Sequence, residues 1–329
     1  MAKFDECFNA QANPKLKPRD LEKFWLQQLT RLKVTPHNTI AKKKVSGKIL
    51  VEHNLTLDFQ SIDNYHLHAQ FIAPKQLMRK PPLIVIFPDY GKEAVAYKPL
   101  MNAGIAQLVV RLRGHEAPLP LIENTADIKL AKEKTAQSYG YFAERIQEPA
   151  EHYACKIFLD AFRTIEMARL RKEIDATKIG IWGQGIGAAQ ALFVNAFMNR
   201  GDALYLENPA FLNLEQTLRL STADYAREIN ALPKASKKMS DAVAESLRYF
   251  DPVYFASKVS GSVALSVNLD DTNSVPHGAF ALMHLLTCEK DMYVFTENDP
   301  VARANEKKKI VSNALQFFGE IFSLNINSK

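Results

Sequence analysis

The chain has 329 residues, 47% of them hydrophobic and 24% charged, at a mean hydropathy of -0.19, which excludes a disordered chain. Lys and Arg number 42 against 36 Asp and Glu, a net charge of +6, yet the first 50 residues alone carry a surplus of seven and the other 279 sum to -1. A globally basic nucleic-acid binder is therefore disfavoured, and only an N-terminal arm could meet a polyanion.

No run approaches the ~18 apolar residues of a membrane-spanning helix. The residues after Met1 (Ala-Lys-Phe-Asp-Glu-Cys) hold no apolar core, so an ordinary signal peptide is not expected. Cys7, Cys155 and Cys288 are odd in number and widely spaced. That is neither a disulfide framework nor a zinc pattern, and it fits a reducing, cytoplasmic setting.

In chain order, Pro18 to Lys33 reads as an amphipathic helix, with Leu21, Phe24, Trp25, Leu29 and Leu32 on one face. Lys42-Lys43-Lys44 then reads as a solvated linker. Two β-rich stretches, Ile49–Phe59 and Tyr65–Ala73, are spaced as a hairpin. Short apolar runs follow at Pro82–Pro88, Ala106–Leu112, Lys178–Trp182, Ala203–Glu207, Ser262–Val267 and Met292–Thr296. Amphipathic helices separate most of them, the clearest running from Pro149 to about Arg171. Such alternation predicts an α/β fold with a mostly parallel sheet covered on both faces. Residues 208–256 interrupt it with polar helices at Asn213–Leu220, Ala223–Ala231 and Ser236–Leu247, an insertion placed over the sheet's C-terminal edge. A last helix spans Ala304–Phe322. The chain is expected to be a single domain over 1–329, with 1–48 as an N-terminal extension.

Lys178–Gln190 is the stretch most informative about chemistry. A short strand leads into Gly183-Gln184-Gly185-Ile186-Gly187 and then a helix, the strand–turn–helix of a nucleophile elbow. The exposed central residue of such an elbow is Ser, Cys or Asp in an active enzyme; here it is Gly185. A phosphate cradle is disfavoured, because the Gly-x-Gly-x-x-Gly spacing and a Lys-Ser/Thr pair are absent. No other cofactor motif and no metal-ligand set is found. His66 and His68 alternate on a strand without a third ligand nearby in sequence.

These features lie in an order that resembles the acetyl xylan esterase and cephalosporin C deacetylase family of α/β-hydrolases over nearly the whole chain. Phe4-Asp5, the Lys17–Leu26 helix with Phe24-Trp25, and Leu57–Lys75 resemble its N-terminal extension. Pro88-Asp89-Tyr90-Gly91 stands where the family has His-Gly-Tyr-Gly, and Arg113-Gly114-His115-Glu116 where it has Arg-Gly-Gln-Gly. Leu159-Asp160-Ala161, Tyr249-Phe250-Asp251 and Val267–Pro276 resemble further family segments.

The resemblance implies hydrolysis of small acyl esters, mainly acetyl groups on sugars, by a Ser-His-Asp triad. It puts the nucleophile position at Gly185, the acid at Asp271 and the base at Asn298, or at Asp299 if the register slips by one. None of the eight histidines follows His284, so two catalytic groups are missing. The implied oxyanion hole uses the N–H groups of Tyr90 and Ile186, with Asp89 replacing a glycine beside them. A carboxylate there opposes negative charge developing on an acyl oxygen; the sequence leaves the direction of its side chain open.

Tyr90, Ile186 and Phe211 are the candidate ligand-binding residues. The expectation is a catalytically deficient homologue, a non-catalytic ligand-binding or structural protein, with a small acylated sugar as ligand. The resemblance also implies a homo-oligomer, typically a hexamer. The alternative is a relocated, non-serine mechanism in which Asp89, Asp271 or His115 activates water. His277, six residues after Asp271, is a further histidine that could approach the site.

Overall fold

The computed structural model describes residues 2–43, 51–74, 79–115, 140–232, 236–296 and 300–324. Helix α1 (Ala2–Phe8) and helix α2 (Leu21–Val34) come first, followed by β1 (Ile40–Lys43), β2 (Val51–Gln60) and β3 (His66–Pro74). The central run is β4 (Leu83–Phe87), α3 (Lys98–Asn102), β5 (Ala106–Val110), α4 (Tyr153–Arg169), β6 (Ile179–Gln184), α5 (Ile186–Met198) and β7 (Ala203–Glu207). Helices α6 (Leu214–Leu220), α7 (Asp224–Asn230) and α8 (Lys237–Arg248) fill the connection to β8 (Ser262–Asn268). The chain closes with α9 (Pro276–Leu285), β9 (Glu289–Phe295) and α10 (Pro300–Phe322).

The nine strands form one sheet in the order β1-β2-β3-β5-β4-β6-β7-β8-β9. Strands β1, β2, β3 and β5 pair antiparallel, and from β5 to β9 every pairing is parallel. The period of two along each strand divides the core into two layers. Leu83, Val85, Ile181, Leu204, Leu206 and Leu265 face the layer that holds α4 and α5. Ile84, Ile86, Trp182, Tyr205 and Ala264 face the layer under α3 and α10. Because both faces are covered, the central strands read as unbroken apolar runs, as the sequence predicts.

Several elements differ from their predicted form, the last helix starting at Pro300 rather than Ala304 among them. Lys42 and Lys43 belong to edge strand β1, opposite Thr56 and Leu55, and are not linker residues; Lys44 lies outside the described residues. Lysines suit an edge because they oppose pairing with another chain, and four residues are too few to show a pattern. Helix α4 starts at Tyr153, four residues later than predicted. His152 caps it, accepting from the Ala154 N–H at 3.4 Å and donating to the Phe142 carbonyl at 3.0 Å. Strand β9 starts at Glu289 rather than Met292 and is half-exposed, so its charged first three residues carry no apolar signature.

Candidate active site

Strand β6 runs into Gly185, which sits at φ 52°, ψ -117°, and α5 begins at the next residue. That backbone is strained for any residue with a Cβ, and glycine removes the strain. Two residues on, a Cβ at Gly187 would lie 2.2 Å from the Phe87 carbonyl oxygen, so glycine is needed for the close packing of helix on strand. The elbow geometry is present in full; the side chain that would use it is not.

What occupies the space is Asp89, just beyond the end of β4. A Cβ built on Gly185 would fall 2.0 Å from Asp89 Oδ1 and 2.1 Å from its Cγ. The carboxylate therefore fills the volume of a nucleophile side chain. Its Oδ1 accepts from the Tyr90 N–H and the Ile186 N–H, both at 2.9 Å. These are the two donors assigned above to an oxyanion hole, and here they converge on an oxygen of the chain itself. Oδ2 pairs with the exposed Lys92 ammonium at 3.1 Å.

The loop carrying Asp89 is braced from three sides. The Gly91 N–H donates to His115 Nε2 at 3.1 Å, and His115 Nδ1 lies 3.1 Å from the Arg113 carbonyl. This arrangement needs a neutral imidazole protonated on Nδ1, and burial lowers the pKa of His115 accordingly. The Tyr90 hydroxyl donates to Glu228 of α7, with both carboxylate oxygens at 3.1 Å. Glu228 also accepts from the N–H groups of Gly140 and Phe142 at 2.8 and 3.0 Å. Burial, followed by the charge of Glu228, raises the Tyr90 phenol pKa, so it stays a donor. Arg113 is fixed in turn by a buried bidentate pair with Asp160, two contacts of 2.7 Å.

Behind the elbow lies a second, part-buried ion pair. Lys307 of α10 reaches Glu207 at 2.6 Å, and Glu207 also accepts from Trp182 and Gln184 at 3.0 and 2.9 Å. Burial alone would raise the Glu207 pKa, but Lys307 and these donors outweigh it and hold the carboxylate ionised. The Glu207 carbonyl accepts from the Gly185 N–H at 3.0 Å, tying the pair to the turn.

The remaining candidates are placed as follows. Asp271 follows β8 and accepts from the Asn273 and Ser274 N–H groups at 2.8 and 3.0 Å. Burial raises its pKa, and Lys92 and Asp89 are among the charges acting on it. Asn298 and Asp299 lie outside the described residues. Phe211 is fully buried against Phe142 and Tyr225, at ring distances of 5.3 and 5.5 Å. It packs the core and presents no surface to a ligand. The Tyr90 ring is likewise buried, so only its N–H faces the elbow turn.

Among the other histidines, His115 serves the loop and His277 faces α1, 3.9 Å from Cys7 Sγ. His66 and His68 turn towards Asp58, at 2.7 and 3.4 Å. No group of three or more metal-ligating side chains occurs among the described residues. Sequence reasoning missed Glu228, Lys307 and Glu207. Glu228 acts across 86 to 138 residues and the Lys307–Glu207 pair across 100, and no local pattern signals such contacts.

A mostly parallel sheet, helices on both sides and an elbow between β6 and α5 define an α/β-hydrolase. The acetyl xylan esterase (AXE1) family model matches residues 6–316, and the chain belongs to that family. Among solved structures it is similar to acetyl xylan esterase 1 from Thermoanaerobacterium sp. JW/SL YS485. The TM-score is 0.80 at 18% identity, covering 97% of this chain and 98% of that one. The acetyl xylan esterase from Paenibacillus sp. R4 gives a TM-score of 0.78 at 18% identity, with 94% and 98% covered. The acylaminoacyl peptidase of Pyrococcus horikoshii shares the fold more distantly, at a TM-score of 0.60 and 18% identity. There 82% of this chain matches 42% of the longer one.

Proposed function

We propose that this member of the acetyl xylan esterase family is catalytically deficient and acts as a non-catalytic ligand-binding or structural protein. One observation carries the reading: Asp89 Oδ1 sits 2.9 Å from both the Tyr90 and Ile186 N–H groups, against a glycine at the nucleophile position. Loss of a serine nucleophile alone lowers turnover by on the order of a millionfold. The residual ~10³-fold acceleration that survives in such variants depends on a vacant oxyanion hole. Here a tethered carboxylate fills that hole and repels a second negative oxygen. A small acylated sugar, the ligand class suggested by the family name, would meet a carboxylate where an active esterase offers donors.

The relocated mechanism is the weaker reading. Asp89 is held by two backbone donors and a lysine, so both of its carboxylate oxygens are already engaged and neither is left to orient a water. A homo-oligomer, by analogy a hexamer, and a cytoplasmic setting complete the proposal. The second is supported by three free cysteines.

The test is turnover of p-nitrophenyl acetate and labelling by a fluorophosphonate, each against a heat-denatured control. Neither should exceed the control. Turnover that ignores fluorophosphonate but disappears in Asp89→Asn would overturn the proposal in favour of water activation by Asp89.

A further inference from the structure

The opposite edge of the sheet has a different character. A cleft of about 720 Å³ opens at the N-terminal ends of β4 and β6, beside the C-terminal ends of α4 and α10. Six basic side chains line it (Arg79, Lys80, Arg169, Arg171, Lys172 and Lys178) against a single lining carboxylate, Asp175.

Part of this charge serves the fold. Arg169 pairs with Asp202 and donates to the Ala176 carbonyl at 3.1 Å, Arg171 pairs with Glu173, and Lys178 donates to the Phe322 carbonyl at 2.8 Å. Lys178 thereby caps the C-terminal end of α10, an ordinary role for a lysine. Asp175 is engaged by the Thr177 N–H and hydroxyl at 3.0 and 2.6 Å, and these bonds lower its pKa.

The rest is unspent. Arg79, Lys80 and Lys172 are exposed and have no ion-pair partner among the described residues. Helix capping accounts for none of these three groups. Leu170, exposed at 64%, gives the cleft an apolar wall.

We infer that this cleft binds a small ligand bearing two or more phosphate groups. Three unpaired cations around one concavity match an oligophosphate better than a singly charged anion, because several charges are neutralised in one site. The volume lies in the range of small-molecule sites. A polynucleotide is disfavoured, because the chain beyond residue 50 carries no net positive charge to continue a basic track. The inference does not depend on whether the elbow is catalytic.

The experiment is calorimetric titration of the full chain with tripolyphosphate, orthophosphate and a single-stranded oligonucleotide at two salt concentrations. Tripolyphosphate should bind at one site and raise the melting temperature. Orthophosphate should bind roughly tenfold or more weakly, and added salt should weaken both. The Lys80→Glu, Lys172→Glu double variant should lose roughly tenfold or more in tripolyphosphate affinity. Lys237→Glu on α8, outside the cleft, should bind as wild type does. Circular dichroism and melting without ligand check that each variant folds. Absence of binding at millimolar tripolyphosphate overturns the inference, as does an equal loss in Lys237→Glu. Oligonucleotide affinity that exceeds tripolyphosphate and grows with length would reassign the patch to nucleic acid.

Discussion

The two edges of one sheet are finished in opposite ways. At the C-terminal edge, each charge near the elbow meets a partner: Asp89 with two N–H groups and Lys92, Arg113 with Asp160, and Glu207 with Lys307. At the N-terminal edge, three cations stand exposed around a cleft without a salt-bridge partner among the described residues. A fold of this class places its chemistry at the C-terminal edge because loops and helix N-termini converge there. When that edge is satisfied internally, its polar groups contribute to stability. The edge with unspent charge then becomes the better place to look for a ligand.

The sharpest way to break the closed edge is to remove one partner of a buried pair. Asp160→Asn strands the Arg113 guanidinium and should cost about 3–5 kcal/mol, measured by urea denaturation. A loss below about 1 kcal/mol would mean the pair braces nothing. Filling the elbow should come next. Gly185→Ser puts a Cβ 2.0 Å from Asp89 Oδ1 and should cost about 2–4 kcal/mol through overpacking and strain. Most of that should return in Asp89→Gly, Gly185→Ser. A single variant as stable as wild type would show that Asp89 moves aside freely.

Acid should separate the edges more gently. His115 and His152 are buried as neutral rings, and the His152 pKa is lowered to about 4 by burial. A depressed folded-state pKa gives stability that is present above the unfolded value of about 6.5 and lost as pH falls through the folded value. Between about pH 6.5 and 4 the closed edge should therefore lose up to about 3 kcal/mol. Amide exchange at Gly91 and Ile186 should speed up first. His152→Gln should flatten the dependence, whereas the cleft at the opposite edge holds no histidine. Equal acceleration at both edges would refute the contrast.

Much of the scaffold is legible in the sequence because apolar runs such as Leu83–Phe87 mark central strands directly. The elbow is legible because its glycines stand in a local pattern. Strand β1 and helix α1 are not, since four and seven residues give too little periodicity. Asp89 could be singled out as unusual, but its direction depends on β4 pairing with β6, which brings it to Ile186, 97 residues away. Phe211 reads as a pocket aromatic in the sequence because nothing local distinguishes a ring lining a cavity from one filling it.

The contact between Asp89 and Gly185 also has a consequence for the history of the chain. A serine regained at 185 first collides with the carboxylate. A glycine regained at 89 first leaves the Tyr90 and Ile186 N–H groups unpaired, at about 1–3 kcal/mol if they stay buried. Proteins hold only a few kcal/mol in reserve, so either order of single steps passes through a less fit intermediate. On the proposed reading the pair works as a ratchet: each residue opposes a change at the other, so a serine at 185 and a glycine at 89 are accommodated only together.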